Sequence, residues 1–253
     1  ESRTGALAPE LATGTTCRIF TGATLPKGAD AVVMQEDVER ENDRARFSAR
    51  PATWSHVRRR GEDLEVGALG LAAGSRLGPG QIGLAAALDR GSLVVSRRPR
   101  VSILCTGDEL RAPGEPARPG SIPESNGHAL SAMVHTLGGT PKLLPYARDD
   151  RDVTVRAVRE ALIDADLLLT VGGVSVGDHD LVRPALEEAG ARLDFWKVKL
   201  RPGKPLVFGS VGPTRILGLP GNPVSAWVTF TLFGAPLLRK LAGDRRPLPA
   251  FRR

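Results

Sequence analysis

The stretch Asp166-Leu167-Leu168-Leu169-Thr170-Val171-Gly172-Gly173-Val174-Ser175-Val176-Gly177-Asp178-His179-Asp180 decides the fold. From Leu167 to Val171 it is apolar at nearly every position, with no polar–apolar alternation. A strand written this way is covered on both faces, as strands inside parallel sheets are. The run stops at Gly172-Gly173, where the backbone is free to turn sharply. Upstream, Arg100-Val101-Ser102-Ile103-Leu104-Cys105 has the same character and ends on a second glycine turn, Thr106-Gly107-Asp108-Glu109.

Helical periods fill the gaps between such strands. Leu130, Met133, Val134 and Leu137 fall at i, i+3, i+4 and i+7, which predicts a helix capped by Ser125 or Asn126 and ended by Gly138-Gly139. Residues 141–146 form the next expected strand, and Val155, Val158 and Leu162 mark a helix after Asp149-Asp150. Beyond the deciding stretch, a short helix closes at Gly190, strands are expected over 192–200 and 215–218, and a long helix runs from Pro223 to about Leu241. This alternation predicts a doubly wound α/β domain with a mostly parallel sheet.

The N-terminal part has a different texture. Cys17-Arg18-Ile19-Phe20 and Ala31-Val32-Val33-Met34 suggest short strands parted by turn residues, so 1–57 is expected to be a small β-rich domain. Glycines break 58–98 into a mixed connecting segment, with one helix after Gly80 that carries Ile82, Leu84, Ala85 and Leu88 and closes at Gly91. The α/β domain then occupies 99–246, and 247–253 are expected to begin a further β domain.

Composition narrows the partners. With 41% hydrophobic and 25% charged residues the chain is ordinary globular protein. No apolar run approaches the roughly 18 residues of a membrane span. Glu1-Ser2-Arg3-Thr4 has no signal-peptide pattern and suggests a start within a longer protein. Cys17 and Cys105 stand far apart without metal-ligand spacing, as expected of free thiols in a reducing cytoplasm. A formal charge of +7 fits either a solvated basic surface or an anionic ligand. With one Tyr, seven Phe and three Trp, base-stacking aromatics are scarce, which argues against single-strand nucleic-acid binding.

In open α/β sheets ligands sit beyond the carboxyl ends of the strands, and three such ends here carry unusual residues. Thr106-Gly107-Asp108-Glu109 offers backbone amides and two carboxylates, or simply a turn with a capping aspartate. In 172–177, Gly172, Gly173 and Ser175 form a nest of amides suited to phosphate. Asp178 and Asp180 beyond it either cap the helix starting near Leu181 or hold a hard cation such as Mg²⁺. Period-2 spacing over 195–201 would set Lys197, Lys199 and Arg201 on one strand face, with Lys204 where the chain turns. An edge strand guarded by lysines would read the same way. Pro220-Gly221-Asn222 opens the last helix and offers another helix N-terminus to an anion.

Seven ordered strings resemble the MoeA family of molybdopterin molybdenumtransferases: 18–23, 32–36, 58–63, Thr106–Leu110, Gly172–Asp178, Pro202–Pro205 and 218–226. The resemblance implies an enzyme that accepts adenylylated molybdopterin, binds molybdate and, with Mg²⁺ or another divalent cation, releases AMP as molybdenum joins the dithiolene. It carries functional positions onto Thr21, Asp63, Glu109, Asp149, Asp180 and Lys197, with Arg201 where the family usually has lysine. Thr106, Gly107, Asp108, Asn126, Gly172, Gly173, Ser175, Lys204, Pro220, Gly221 and Asn222 would complete the substrate site, and Glu109, Asp178 and Asp180 the metal site. It further implies a cytoplasmic homodimer working beside the adenylyltransferase that makes its substrate. The family's Asp before Ser-Asn is Glu124 here, and its Asp-Gly-Tyr-Ala motif and C-terminal β domain are not in the sequence. An adenylyltransferase-like activity, a non-catalytic scaffold and a nucleic-acid binder are the rival readings; the segment 1–98 speaks against the first.

Overall fold

A computed structural model describes residues 1–173 and 181–248, apart from the side chain of Lys197. The chain divides into two compact units, Glu1–Gly70 and Leu71–Arg253. In the first, β1 (Val38–Glu41) and β2 (Arg44–Phe47) form an antiparallel hairpin after a 3-10 turn at Gln35–Asp37. Isolated bridges pair Ser2 with Ile19 and Glu10 with Lys27. The strands expected over 17–20 and 31–34 are therefore not there: the first is a single bridge and the second is coil. Few apolar neighbours are available to extend them, since only Ser2 and Pro26 are fully buried in this unit.

The second unit comprises α1 (Pro79–Ala87), β3 (Arg100–Cys105), β4 (Leu110–Arg111), β5 (Ile122–Pro123), α2 (Asn126–Thr136), β6 (Thr140–Leu143), α3 (Arg151–Leu162), β7 (Leu167–Val171), α4 (Val182–Glu188), β8 (Arg192–Lys197), β9 (Pro205–Val211), β10 (Thr214–Leu219), α5 (Pro223–Thr229), a π turn (Phe230–Gly234) and α6 (Ala235–Leu241). Its six-stranded sheet has the order β6-β3-β7-β10-β9-β8. The first four strands are parallel, while β9 and β8 are antiparallel additions at one edge.

Strand alternation explains why both core strands are apolar throughout. Val101, Ile103, Cys105, Leu167, Leu169 and Val171 face one way and meet Leu130 and Val134 of α2, Phe230 of the π turn and Leu238 of α6. Leu104, Leu168 and Ile216 face the other way, against Val155 and Val158 of α3 and Ala185 and Leu186 of α4. Each fully buried Leu or Ile stabilises the unit by about 1.5–3 kcal/mol. Helices thus cover both faces, and the doubly wound, mostly parallel fold is as expected. The chain leaves β3 for β6 on one side and returns to β7 on the other, so the switch point lies between the carboxyl ends of β3 and β7.

Other expectations change. β9 was not foreseen, and β8 ends at Lys197 instead of running to residue 200. α1 starts at Pro79 and buries only Ala85 fully, leaving Ile82 and Leu88 exposed. The long last helix is present but carries the π turn, where Pro236 has no N–H to continue the α-helical ladder.

Asp166 ties down the amino ends of β3 and β7. Its carboxylate accepts both Arg97 guanidinium nitrogens at 2.5 Å and the Arg100 amide at 2.7 Å. The Arg97 bonds, with help from the Arg100 amide, hold its pKa below the usual carboxylate value against the opposing effect of burial. A lowered folded pKa stabilises the fold above the unfolded value near 3.9, and that contribution disappears as pH falls through the lower folded value. Asp166→Ala should therefore cost about 1 kcal/mol at neutral pH through the lost amide bond. Thermal melts of the two proteins should converge below about pH 4, and a difference that persists unchanged at pH 3 would refute the electrostatic account.

Candidate functional site

The parallel strands all release the chain at one pole, where their ends are bonded to one another. The Thr106 amide donates to the Val171 carbonyl at 2.9 Å, the Gly107 amide to Ala147 at 3.1 Å and the Gly172 amide to Leu219 at 3.2 Å. Gly172 and Gly173 hold φ of +84° and +60°, conformations that favour glycine. A Cβ on Gly172 would lie 2.6 Å from the Thr106 carbonyl oxygen, and one on Gly173 would lie 2.9 Å from its hydroxyl. Gly221, just before α5, is in ordinary contact with Gly172, where a Cβ would lie 3.5 Å from the Gly172 Cα. Thr106, Gly107, Gly172, Gly173, Pro220 and Gly221 are thus brought together at this pole.

Thr106 stands out chemically. Its hydroxyl is buried, faces the glycine pair and has no hydrogen-bond partner among the described residues. A buried hydroxyl without a partner costs about 1–3 kcal/mol, so a donor or acceptor here suits an incoming polar ligand.

The acids form a second group at this pole. The Asp108 amide donates to the Asp149 carboxylate at 3.4 Å, and the Asp149 amide returns a bond to the Asp108 carboxylate at 3.1 Å. This reciprocal clasp joins the loops after β3 and β6. The Glu109 carboxylate folds back over Gly107, whose φ of +149° and lack of a side chain make room for it. Among the described residues, no group of three His, Cys, Asp or Glu is placed to hold a metal ion. A magnesium-type cation does not require one, because it keeps several waters and takes one or two carboxylates plus substrate phosphates. Hard oxygen donors such as Glu109 and Asp108 fit that chemistry. Ser175, Asp178 and Asp180 lie outside the described residues.

Glu124 is a residue whose part the sequence did not disclose. It is buried, and its Oε1 accepts the Gly127 amide at 2.6 Å, so it caps α2 in place of Ser125, whose side chain makes no capping bond. The Cys105 thiol lies 3.3 Å from the same oxygen. Burial, and then the neighbouring carboxylate, push that thiol far above its ordinary pKa, so it stays protonated and inert. With α2 fixed in this way, Asn126 donates from Nδ2 to the Gly221 carbonyl at 2.8 Å. Asn222 is occupied in capping α5 through the Ser225 amide at 3.2 Å.

The basic strand departs from expectation. Register shifts interrupt the β8–β9 pairing on either side of Phe195, and regular pairing ends at Lys197. Lys199 and Arg201 therefore do not continue one strand face with Lys197; they lie in an exposed loop with Lys204. That loop is anchored to the core. The Val198 amide bonds to the Lys204 carbonyl at 3.1 Å, and Gly203 packs against Thr229 of α5. Thr21 and Asp63 belong to the N-terminal unit: Thr21 is exposed in a turn, and Asp63 is exposed and paired with Arg58 at 3.1 Å.

A glycine-walled crevice at the switch point of a doubly wound sheet defines an α/β protein whose candidate ligand site lies at its strand ends. The family model described as "probable molybdopterin binding domain" matches residues 102–240, and that of the MoeA N-terminal region (domain I and II) matches 2–88. The chain belongs to the MoeA family. It is 40% identical to the molybdopterin molybdenumtransferase of Nostoc sp. over 233 residues, covering 91% of this chain and 53% of that protein. Its likeness to the molybdopterin molybdenumtransferase of Bacillus subtilis is 38% over 226 residues, 88% of this chain and 53% of the other. The crystal structure of a molybdopterin biosynthesis MoeA protein from Pyrococcus horikoshii superposes with a TM-score of 0.78 at 33% identity, over 96% of this chain and 61% of that one. The chain spans about half the length of the first two relatives.

Proposed function

We propose that this chain carries the substrate-handling core of a molybdopterin molybdenumtransferase, which inserts molybdate into adenylylated molybdopterin and releases AMP. The observation that carries this reading is the unpaired, buried Thr106 hydroxyl facing Gly172 and Gly173 at the switch point, in a chain of this family. Relatives at 38–40% identity bear the same activity in their names.

The chemistry is coherent with those residues. The Thr106 hydroxyl and the Gly173 amide hold the pterin phosphate, beside two glycines that add no Cβ. The Asn126 bond to Gly221 keeps two walls of the crevice in register. Lys197 and Arg201 hold molybdate or the departing phosphate, and the Asp108–Asp149 clasp fixes the loops that present Glu109. A divalent cation, when bound, would be held by Glu109 and, through the family likeness, Asp180, and would supply charge neutralisation at the phosphoanhydride. Thr21 and Asp63 are assigned to the substrate, and Asp178 to the cation, through the family likeness. The same likeness supports a cytoplasmic homodimer fed by an adenylyltransferase. No helix of the described residues is long and apolar enough to cross a membrane.

The test is chromatographic detection of AMP after mixing the chain with adenylylated molybdopterin, Mg²⁺ and molybdate. Molybdate-dependent AMP release is expected. Attachment of AMP to molybdopterin from MgATP would instead assign the adenylyltransferase reaction. Lys197→Ala should lower the rate of release on the order of a hundredfold; an unchanged rate would remove the cation from the chemistry.

A further inference from the structure

A second basic feature of the Leu71–Arg253 unit plays no part in the crevice. A cavity of about 580 Å³ is lined by Arg76, Gln81, Arg239, Asp244, Arg245 and Arg246, together with small residues of 72–75. It lies at the C-terminal end of α6. Leu238 there approaches Gly139, just before β6, and Gly243 approaches Ser96, just before β3. The cavity therefore sits by the amino ends of the strands, at the pole opposite the glycine turns.

The lining is built by specific contacts. The Arg245 amide donates to the Gly74 carbonyl at 3.0 Å, and the Asp244 amide to the Arg239 carbonyl at 3.0 Å. Gly74, at φ +74°, leaves no room for a side chain: a Cβ would lie 2.9 Å from the Gly243 carbonyl oxygen. The Gln81 side chain accepts the Gly78 amide at 3.1 Å, so the first turn of α1 is held at the rim. Four arginines thus line one concave surface with a single acidic residue, whose carboxylate already accepts the Arg246 amide at 2.8 Å.

None of the four arginines forms an ion pair among the described residues. The Arg239 Nη1 donates to the Pro247 carbonyl at 3.3 Å, while its buried Nε has no hydrogen-bond partner among the described residues. Compensation of the α6 dipole accounts for Arg239 and Lys240 in the last turn, but not for Arg76, Arg245 and Arg246. Arginines without a carboxylate partner are suited to an oxyanion that accepts forked hydrogen bonds, above all phosphate. The volume exceeds what a lone phosphate fills and matches a small organic ligand.

We propose that this cavity binds a phosphate group, carried by free phosphate or by a nucleoside monophosphate, at a site separate from the crevice. The test is titration calorimetry of the full chain at low ionic strength with inorganic phosphate, AMP and adenosine. Saturable binding of phosphate or AMP is expected, weakened on the order of tenfold or more in Arg76→Glu/Arg246→Glu and retained in Asn126→Ala at the crevice. Phosphate binding as tightly as AMP identifies the free anion as ligand; AMP binding far more tightly, with adenosine silent, identifies the nucleotide. Both arginines are exposed, so unchanged circular dichroism and melting are expected, and the single Arg246→Gln gives a milder version of the same loss. No saturable binding of either anion, binding indifferent to the arginine substitutions, or binding abolished by Asn126→Ala would each overturn the proposal.

Discussion

Gly172→Ala is expected to lower the melting temperature by roughly 10 °C. Two independent costs add. Its backbone sits at φ +84°, which a residue with a Cβ adopts at a cost of about 1–3 kcal/mol. The new methyl would also lie 2.6 Å from the Thr106 carbonyl oxygen, and forcing atoms apart in a packed core costs about 1–3 kcal/mol more. Thr106 has little freedom to retreat, because its amide is bonded to Val171 and Gly107 beside it to Ala147. Gly221→Ala is the internal control. Its Cβ would meet the Gly172 Cα only at 3.5 Å, an ordinary contact, and its φ is not positive, so near-neutral stability is expected. Thermal denaturation of both variants decides the matter: equal, small losses would mean that the crevice wall is soft and the close approach unimportant.

That contrast also indicates what a sequence discloses. β3 and β7 were legible because burial on both faces demands uninterrupted apolar residues, and the glycine turns because positive φ demands glycine. β9 was hidden behind Pro202-Gly203-Lys204-Pro205, which reads as a turn and is one, but which also conceals that Leu206, Val207 and Phe208 continue as a strand. The β1–β2 hairpin was hidden for the opposite reason: Glu39, Arg40, Glu41, Arg44 and Arg46 carry no apolar period, and the turn at Asn42, with φ +52°, was its one signal. Within the site, glycines and acids could be named, but their pairing could not. Asp108 and Asp149 are far apart in the chain and meet only because β3 and β6 are adjacent in the sheet. Glu124 gave no sign of being buried, since a carboxylate before Ser-Asn resembles any exposed capping acid until its partner amide and thiol are seen. The alternation of Lys197, Lys199 and Arg201 was real as a pattern and misleading as geometry, because the shifts around Phe195 and the end of pairing at Lys197 destroy the period it relied on.

Glu109→Gln is expected to lower molybdate-dependent AMP release on the order of a hundredfold while leaving thermal stability within about 0.5 kcal/mol. The separation of the two effects follows from the side chain's surroundings. Glu109 is exposed, and its carboxylate makes no hydrogen bond or ion pair among the described residues, so the fold gains little from its charge. Its position over Gly107 nonetheless sets a full negative charge beside the crevice, where the amide of a glutamine would be a poor ligand for a hard cation. Asp149 provides the comparison. Its carboxylate accepts the Asp108 amide, a bond that asparagine can keep, so Asp149→Asn should retain the clasp and lose less activity than Glu109→Gln. The kinetic signature differs as well. If Glu109 helps to hold the cation, Glu109→Asp should recover activity as Mg²⁺ is raised, because a shortened carboxylate still binds but more weakly, whereas Glu109→Gln should not. Wild-type turnover in Glu109→Gln, or equal rescue of both variants by Mg²⁺, would show that the carboxylate over Gly107 has no part in charge neutralisation at the phosphoanhydride.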